Sequence, residues 1–213
     1  MTAGGLVYGP ISSYSRVRIL HLLFEASAGD GRAELTIEQL CEATGLHANT
    51  VREHLQRLIE GGYVLQSSEH RTTRGRPRTL YSVATGTPGA SSTVARDKVA
   101  EAARRGDLMR RVLAEEDSEL GREATYQLDA LIEHLEESGF EPIVDEGELT
   151  VDLAPCPHVV SRSEDRAILC QVHLGLMQSV LTQAGGPVAT DCVRAAARPE
   201  DCIVQLRLTT RAA

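Results

Sequence analysis

The stretch from Thr36 to Val83 constrains this chain more than any other. Thr36 is placed to cap a short helix, and Gln39, three residues on, can reach back to the same turn, the reciprocal pattern of a capping box. Gly45 ends that helix where a residue free to take positive φ is expected. After Gly45-Leu46-His47 another helix is predicted from about Ala48 to Glu60, with Val51, Leu55, Leu58 and Ile59 inward, and Gly61-Gly62 stops it. Gly45 permits a sharp turn, Leu46 plugs the gap between the two helices, and Val51 and Leu55 anchor the second of them. Tyr63–Ser67 and Thr79–Val83 read as strands joined by a long basic tip, His70-Arg71-Thr72-Thr73-Arg74-Gly75-Arg76-Pro77-Arg78, which makes a wing.

Over nearly fifty residues, Leu35 to Val83, this pattern resembles the winged helix-turn-helix domain of bacterial repressors of the broad ArsR/MarR/DeoR-like kind. The resemblance rests on Leu35-Thr36, Leu40, Thr44-Gly45-Leu46, Thr50-Val51-Arg52, His54-Leu55, Leu58, Gly61-Gly62-Tyr63-Val64, and Gly75-Arg76-Pro77 followed by Tyr81. It departs at His47, where a Ser or Thr cap is usual; an imidazole accepts from a backbone N–H only when neutral. With the apolar residues inward, Asn49, Thr50, Arg52, Glu53 and Arg57 are candidates for the outer face. A helix so presented fits the major groove with its N-terminal residues toward base edges. Arg52 suits guanine, and Asn49 suits adenine or a phosphate. The wing arginines Arg71, Arg74, Arg76 and Arg78 flank Gly75 and can reach backbone or minor groove. The bland alternative is a protein-interaction module, in which a basic wing tip would lack a reason.

The net charge of −8 looks wrong for a DNA binder until it is divided. Residues 1–111 carry 15 Lys/Arg against 11 Asp/Glu, a balance of +4, and residues 112–213 carry 7 against 19, a balance of −12. An acidic C-terminal half is repelled by phosphate and should face away from DNA. No apolar run approaches the ~20 residues that cross a bilayer, and no basic-then-apolar leader opens the chain, so a cytoplasmic protein without a membrane partner is expected. Aromatic residues are scarce and Trp is absent, so the core must be Leu, Val, Ile and Ala, which suits helix packing.

Elsewhere, Ser12–Ala26 has an apolar stripe at helical spacing, broken by Asp30-Gly31. Thr85–Ser92 reads as a linker. Val94–Glu137 is helical in pattern, with a break near Asp117-Ser118. Phe140–Val144 and Glu148–Leu153 suggest a hairpin, Ser163–Gln183 a further helix, and Cys202–Leu208 a last strand. The expected fold is α+β in three parts: a winged helix over residues 1–84, a linker and long connecting dimerisation helix over 85–138, and a small α+β sensor domain over 139–213.

Five cysteines in a reducing compartment argue against a disulfide framework and leave metal binding, redox chemistry or burial. Cys41 reads as a buried core thiol. Cys156, Cys170, Cys192 and Cys202 are separated by 13, 21 and 9 residues and match no compact zinc spacing. From Gly139 to Leu208 the chain resembles the sensor half of the iron–sulfur-responsive, SufR-like repressors, through Gly139-Phe140-Glu141-Pro142, Cys156-Pro157, Cys170, Gly175 and Cys202 before an apolar strand. The resemblance implies Cys156, Cys170 and Cys202 as ligands of a cluster, by type [4Fe–4S], and repression by the cluster-bound form. The fourth ligand stays open among Cys192, His158 and His173; family members often carry a His three residues after the first Cys, whereas His158 follows Cys156 by two. Zinc or thiol-redox sensing, and purely structural cysteines, are the competing readings.

The thirteen acids between Glu115 and Glu148 read as a solvated face, and without a Ser/His/Asp set, phosphate loop or H-E-x-x-H motif no enzyme is expected. The function these features predict is a transcription regulator that binds palindromic double-stranded DNA as a homodimer, with half-sites about 34 Å apart.

Overall fold

Val17, Ile19, Leu20 and Leu23 of α1 (Tyr14–Asp30) bury one stripe against Leu40 of α2 (Ile37–Thr44) and Val51, Leu55 and Leu58 of α3 (Ala48–Glu60). The capping box forms as the sequence predicts: the Gln39 N–H donates to the Thr36 hydroxyl at 3.3 Å and the Thr36 N–H to Gln39 Oε1 at 2.8 Å. Gly45 has φ of 72°, and its N–H reaches Cys41 O at 2.8 Å. These coordinates are a computed structural model, which describes residues 9–10, 12–30, 34–69, 77–113, 120–154, 156, 163–194 and 202–209. Strands β1 (Val64–Ser68) and β2 (Thr79–Val83) pair antiparallel from Val64↔Val83 to Ser68↔Thr79, and Leu35 adds a bridge to Tyr81. Helices first and a hairpin after them make the expected winged helix.

The helical stretch expected over 94–137 is two helices laid antiparallel, α4 (Thr93–Leu113) and α5 (Arg122–Glu137). Three ion pairs run down the seam: Lys98–Glu137 at 2.6 Å, Arg105–Glu133 at 2.5 Å, and a two-pronged Arg110–Asp129 pair with both contacts at 2.9 Å. Gly106 makes room for the last of these, because a Cβ there would overlap the Asp129 carboxylate. The basic residues of α4 thus meet the acids of α5 instead of lying on an undivided solvated face.

The C-terminal sheet has the order β3-β4-β6-β5, every pair antiparallel, from β3 (Ile143–Asp145), β4 (Thr150–Asp152), β5 (Val188–Arg194) and β6 (Ile203–Leu208). The hairpin, the helix α6 (Ser163–Ala184) and the last strand correspond to sequence expectations. Strand β5 does not: its burial lapses after Ala189 and its register shifts between Thr190 and Cys192, so alternation is missing from the sequence. Leu169, Val172, Leu176, Met177 and Leu181 of α6 bury against the sheet and α5, and α6 also packs on α1, where Gly175 lets the Phe24 ring approach. One apolar cluster therefore joins the winged helix to the C-terminal part.

His134 of α5 lies in that junction, 6% exposed, with the Tyr63 ring edge-on at 6.0 Å. Burial pushes its pKa down to about 4, and Lys98 of α4 adds to the effect, while Glu133 and Glu137 flank it on α5. An unfolded His takes its proton near 6.5, so between these values the unfolded state binds the extra proton. Stability is full above pH 6.5 and falls as pH drops toward 4. Wild type is expected to lose about 2 kcal/mol between pH 7 and pH 5 through this group alone. Urea unfolding at both pH values, beside His134→Gln, is the check; equal losses in the two proteins would refute it.

Candidate nucleic-acid interface and thiol cluster

Helix α3 begins at His47, whose Nδ1 accepts the Asn49 N–H at 3.2 Å, so the imidazole takes the capping role usually given to Ser or Thr. With Val51, Leu55 and Leu58 buried, Asn49, Arg52, Glu53 and Arg57 are exposed and Thr50 is half-buried. Arg52 Nη1 donates to Asn49 Oδ1 at 3.0 Å, and Arg57 pairs with Glu53 at 2.7 Å. The two N-terminal candidates for base contact thus form one unit at the start of the helix, where backbone N–H groups also favour anions. Farther along, Glu53 partly neutralises Arg57.

Arg78, exposed at the start of β2, shares the field of this face. Glu38 of α2 is held below the usual carboxylate range first by its own backbone N–H and the Thr36 hydroxyl, then by Arg78 and Arg52. One exposed carboxylate therefore senses both the recognition helix and the wing base. Arg71, Arg74 and Arg76 lie outside the described residues. Gln56, exposed one turn beyond Arg52 and bonded to Glu60 at 2.8 Å, belongs to the same face; its helical spacing from Arg52 was the signal that could have found it.

The second candidate site lies where β4, β6 and α6 meet. The Leu153 N–H donates to Cys202 O at 2.8 Å, which carries the ladder past β4 and β6 and brings Cys156, three residues on, beside Cys202. Cys156 is buried; Cys170, on α6, and Cys202 are half-buried. A hydrogen bond with Cys156 raises the Cys202 pKa most, burial next, and the charges of Cys156 and Cys170 further. Cys170 is raised by burial and then by Cys156, with Arg166 opposing in both cases. Three thiols distant in sequence thus act on one another. Among the described residues no three His, Cys, Asp or Glu stand close enough to share one metal ion.

Of the open fourth ligands, Cys192 is exposed on β5, and His173 is buried with its ring stacked on Phe140 at 4.7 Å. His158 lies outside the described residues. Cys41 packs partly buried against the winged-helix core.

Residues 13–65 match the model of the bacterial regulatory protein, arsR family. No curated protein and no solved structure matches the chain. The match spans α1, α2, α3 and the start of β1, so these elements are an ArsR-type helix-turn-helix, the DNA-binding part of a regulator. No helix among the described residues is long and apolar enough to cross a membrane.

Proposed function

We propose, from the ArsR-type helix-turn-helix at residues 13–65, that this protein is a transcription repressor that binds a palindromic duplex as a homodimer. The observation that carries the reading is the exposed Asn49–Arg52 unit at the capped start of α3, with Arg78 of the wing on the same face. A second copy suits the exposed apolar end of α4, where Leu108, Met109, Val112 and Leu113 are each half or more exposed. Arg52→Ala is expected to weaken operator binding by about 1–3 kcal/mol and to relax preference at one base pair per half-site. Titration of a labelled duplex, read for affinity and for two chains per palindrome, checks both statements. An affinity unchanged by Arg52→Ala would remove the helix from the interface.

The signal we assign to the thiol cluster. Cys156, Cys170 and Cys202 fit an iron–sulfur group in donor type, since thiolates are its usual ligands and each can serve a different iron. When bound, such a group would supply an oxidation-sensitive link between the ends of β4 and β6 and helix α6. The protein's own part is to set Cys156 beside Cys202 with Cys170 near both, and the raised pKa values of Cys170 and Cys202 favour their thiol form until a metal displaces the protons. Because α6 packs on α1 and α5, a change at Cys170 has a route of packed helices toward α3. Anaerobically purified protein is expected to absorb broadly near 400 nm and to contain iron and sulfide. Cys156→Ala, Cys170→Ala and Cys202→Ala should each abolish the band. A colourless, iron-free wild type that binds DNA would dismiss the cluster; zinc without iron would favour the zinc reading.

A further inference from the structure

Arg16 of α1 is 4% exposed, and no acid among the described residues answers its charge. Its hydrogen bonds all go to neutral oxygens: Nε donates to Pro10 O at 3.4 Å, and Nη2 to Gly9 O at 3.2 Å and Ser12 Oγ at 2.5 Å. Burial lowers its pKa first, and the like charge of Arg57 lowers it further. His54 of α3 is lowered by burial and next by Arg16, so the unanswered charge is felt on the recognition helix. A buried charge without a counter-ion is unfavourable, and an anion that supplies one is favoured.

Arg16 stands in the wall of a half-open cleft of about 180 Å³, distinct from the smaller cavity of about 50 Å³ that His134 lines. Its Nη1 makes no hydrogen bond among the described residues and is not sealed from solvent. Arg57 stands in the same wall and donates to Glu53 through Nη2, at 2.7 Å, with its other N–H groups left over. The acids of the wall are engaged elsewhere: Glu137 pairs with Lys98 at 2.6 Å, and Glu60 accepts from Gln56 at 2.8 Å.

We propose that this cleft binds a small soluble oxyanion, a carboxylate or a phosphate, through Arg16 and Arg57. A guanidinium presents planar, paired N–H groups that match either anion. The volume exceeds the roughly 150 Å³ of an apolar cavity that holds benzene, so inorganic phosphate enters with room for a substituent. Position favours a free anion over a backbone phosphate of DNA. Arg57 lies about 12 Å along α3 from Asn49, and the cleft continues to Gly61, Lys98 and Glu137, toward α4 and α5 and away from the Asn49–Arg52 unit. A bound anion would join α1 to the end of α3 and stabilise the winged helix by mass action. The site does not rest on the DNA-binding reading above.

The test titrates the full chain with sodium phosphate, and separately with sodium acetate, at an ionic strength held constant with chloride. The amide signals of Gly61 and Tyr63, both in the wall, should shift saturably with half-saturation in the millimolar range, while that of Val188 on β5 stays still. Arg16→Gln should abolish the saturable shift, and Arg57→Gln should weaken binding several-fold. Should Arg16→Gln fail to fold, Arg57→Gln, at an exposed position, carries the test. If Arg16 serves only as a strut for Gly9 and Pro10, neither salt gives a saturable shift, and that result overturns the site. A shift that Arg57→Gln leaves unchanged overturns it as well. Duplex and phosphate bound together support a free anion; a duplex that displaces phosphate from the cleft would make the ligand a DNA phosphate and overturn the proposal as stated. The amide shifts are read on protein without DNA, so a chain that binds no duplex fails the DNA reading alone.

Discussion

Gln127→Leu is expected to lower the stability of the protein by about 3 kcal/mol. The Gln127 side chain is buried on α5 and makes three hydrogen bonds. Its Nε2 donates to Leu181 O at 2.8 Å and Val188 O at 2.9 Å, and its Oε1 accepts the Val188 N–H at 2.7 Å. One amide thereby closes the end of α6, starts β5, and ties both to α5. Leucine fills a similar volume but answers none of these groups. Leu181 O keeps a bond from the Gly185 N–H at 3.1 Å, so its loss is partial. The buried Val188 N–H loses the partner the side chain supplied, and a buried donor left unmade costs about 1–3 kcal/mol, with about 1 kcal/mol for each bond lost elsewhere. Urea unfolding measures the sum, and hydrogen exchange at the Val188 amide measures the local part. A loss below 1 kcal/mol with unchanged exchange would mean that water replaces the amide, contrary to the burial of the site.

What was legible in the sequence was local. Thr36, Gln39 and Gly45 mark helix ends through groups within four residues, and α3 has its predicted bounds because its apolar spacing is unbroken. The side-by-side packing of α4 and α5 depends on pairings 19 to 39 residues apart, such as Arg110–Asp129 and Lys98–Glu137. Each partner alone looks like an ordinary surface charge. Strand β5 exists because β6 offers it an edge, not because its own residues alternate. The thiols are a mixed case. Their gaps in sequence announce no site, and a family resemblance singled out Cys156, Cys170 and Cys202. The fold sets Cys156 beside Cys202 past the Leu153–Cys202 bond and leaves Cys170 on α6 within reach of their charge, with no three His, Cys, Asp or Glu among the described residues close enough to share one metal ion. The cavity lined by His134 was invisible, since its walls come from five segments that only the tertiary fold assembles: Gly61–Tyr63, Ala84 with Gly86, and helices α4, α5 and α6.

Gly86→Ala should be at least as damaging, and a comparison of three glycines separates its causes. Gly86 has φ of 81°, where an L side chain pays roughly 1–2 kcal/mol. In addition, a Cβ there would stand 2.5 Å from Ser179 O and 2.6 Å from Gln183 N, both backbone atoms of α6 that cannot swing aside. The chain around it is held as well: the Gly86 N–H bonds Ala90 O at 3.0 Å, and Ser91 Oγ bonds Gln183 Oε1 at 2.7 Å. Relief requires the winged helix and α6 to part, which opens the cavity that Gly86 helps to wall. Gly45, at φ of 72° with nothing within 4 Å of its added Cβ, isolates the dihedral penalty, so Gly45→Ala should cost about 1 kcal/mol. Gly89 has neither burden, and Gly89→Ala should fall within about 0.5 kcal/mol of wild type. Gly86→Ala should therefore exceed Gly45→Ala by about 2 kcal/mol or more, the usual range for overpacking. If the two were equal in chemical unfolding, the contact between the β2–α4 connection and α6 would be loose in solution. If the excess is found, that contact is rigid enough to pass a displacement of α6 to the segment that leads out of the wing.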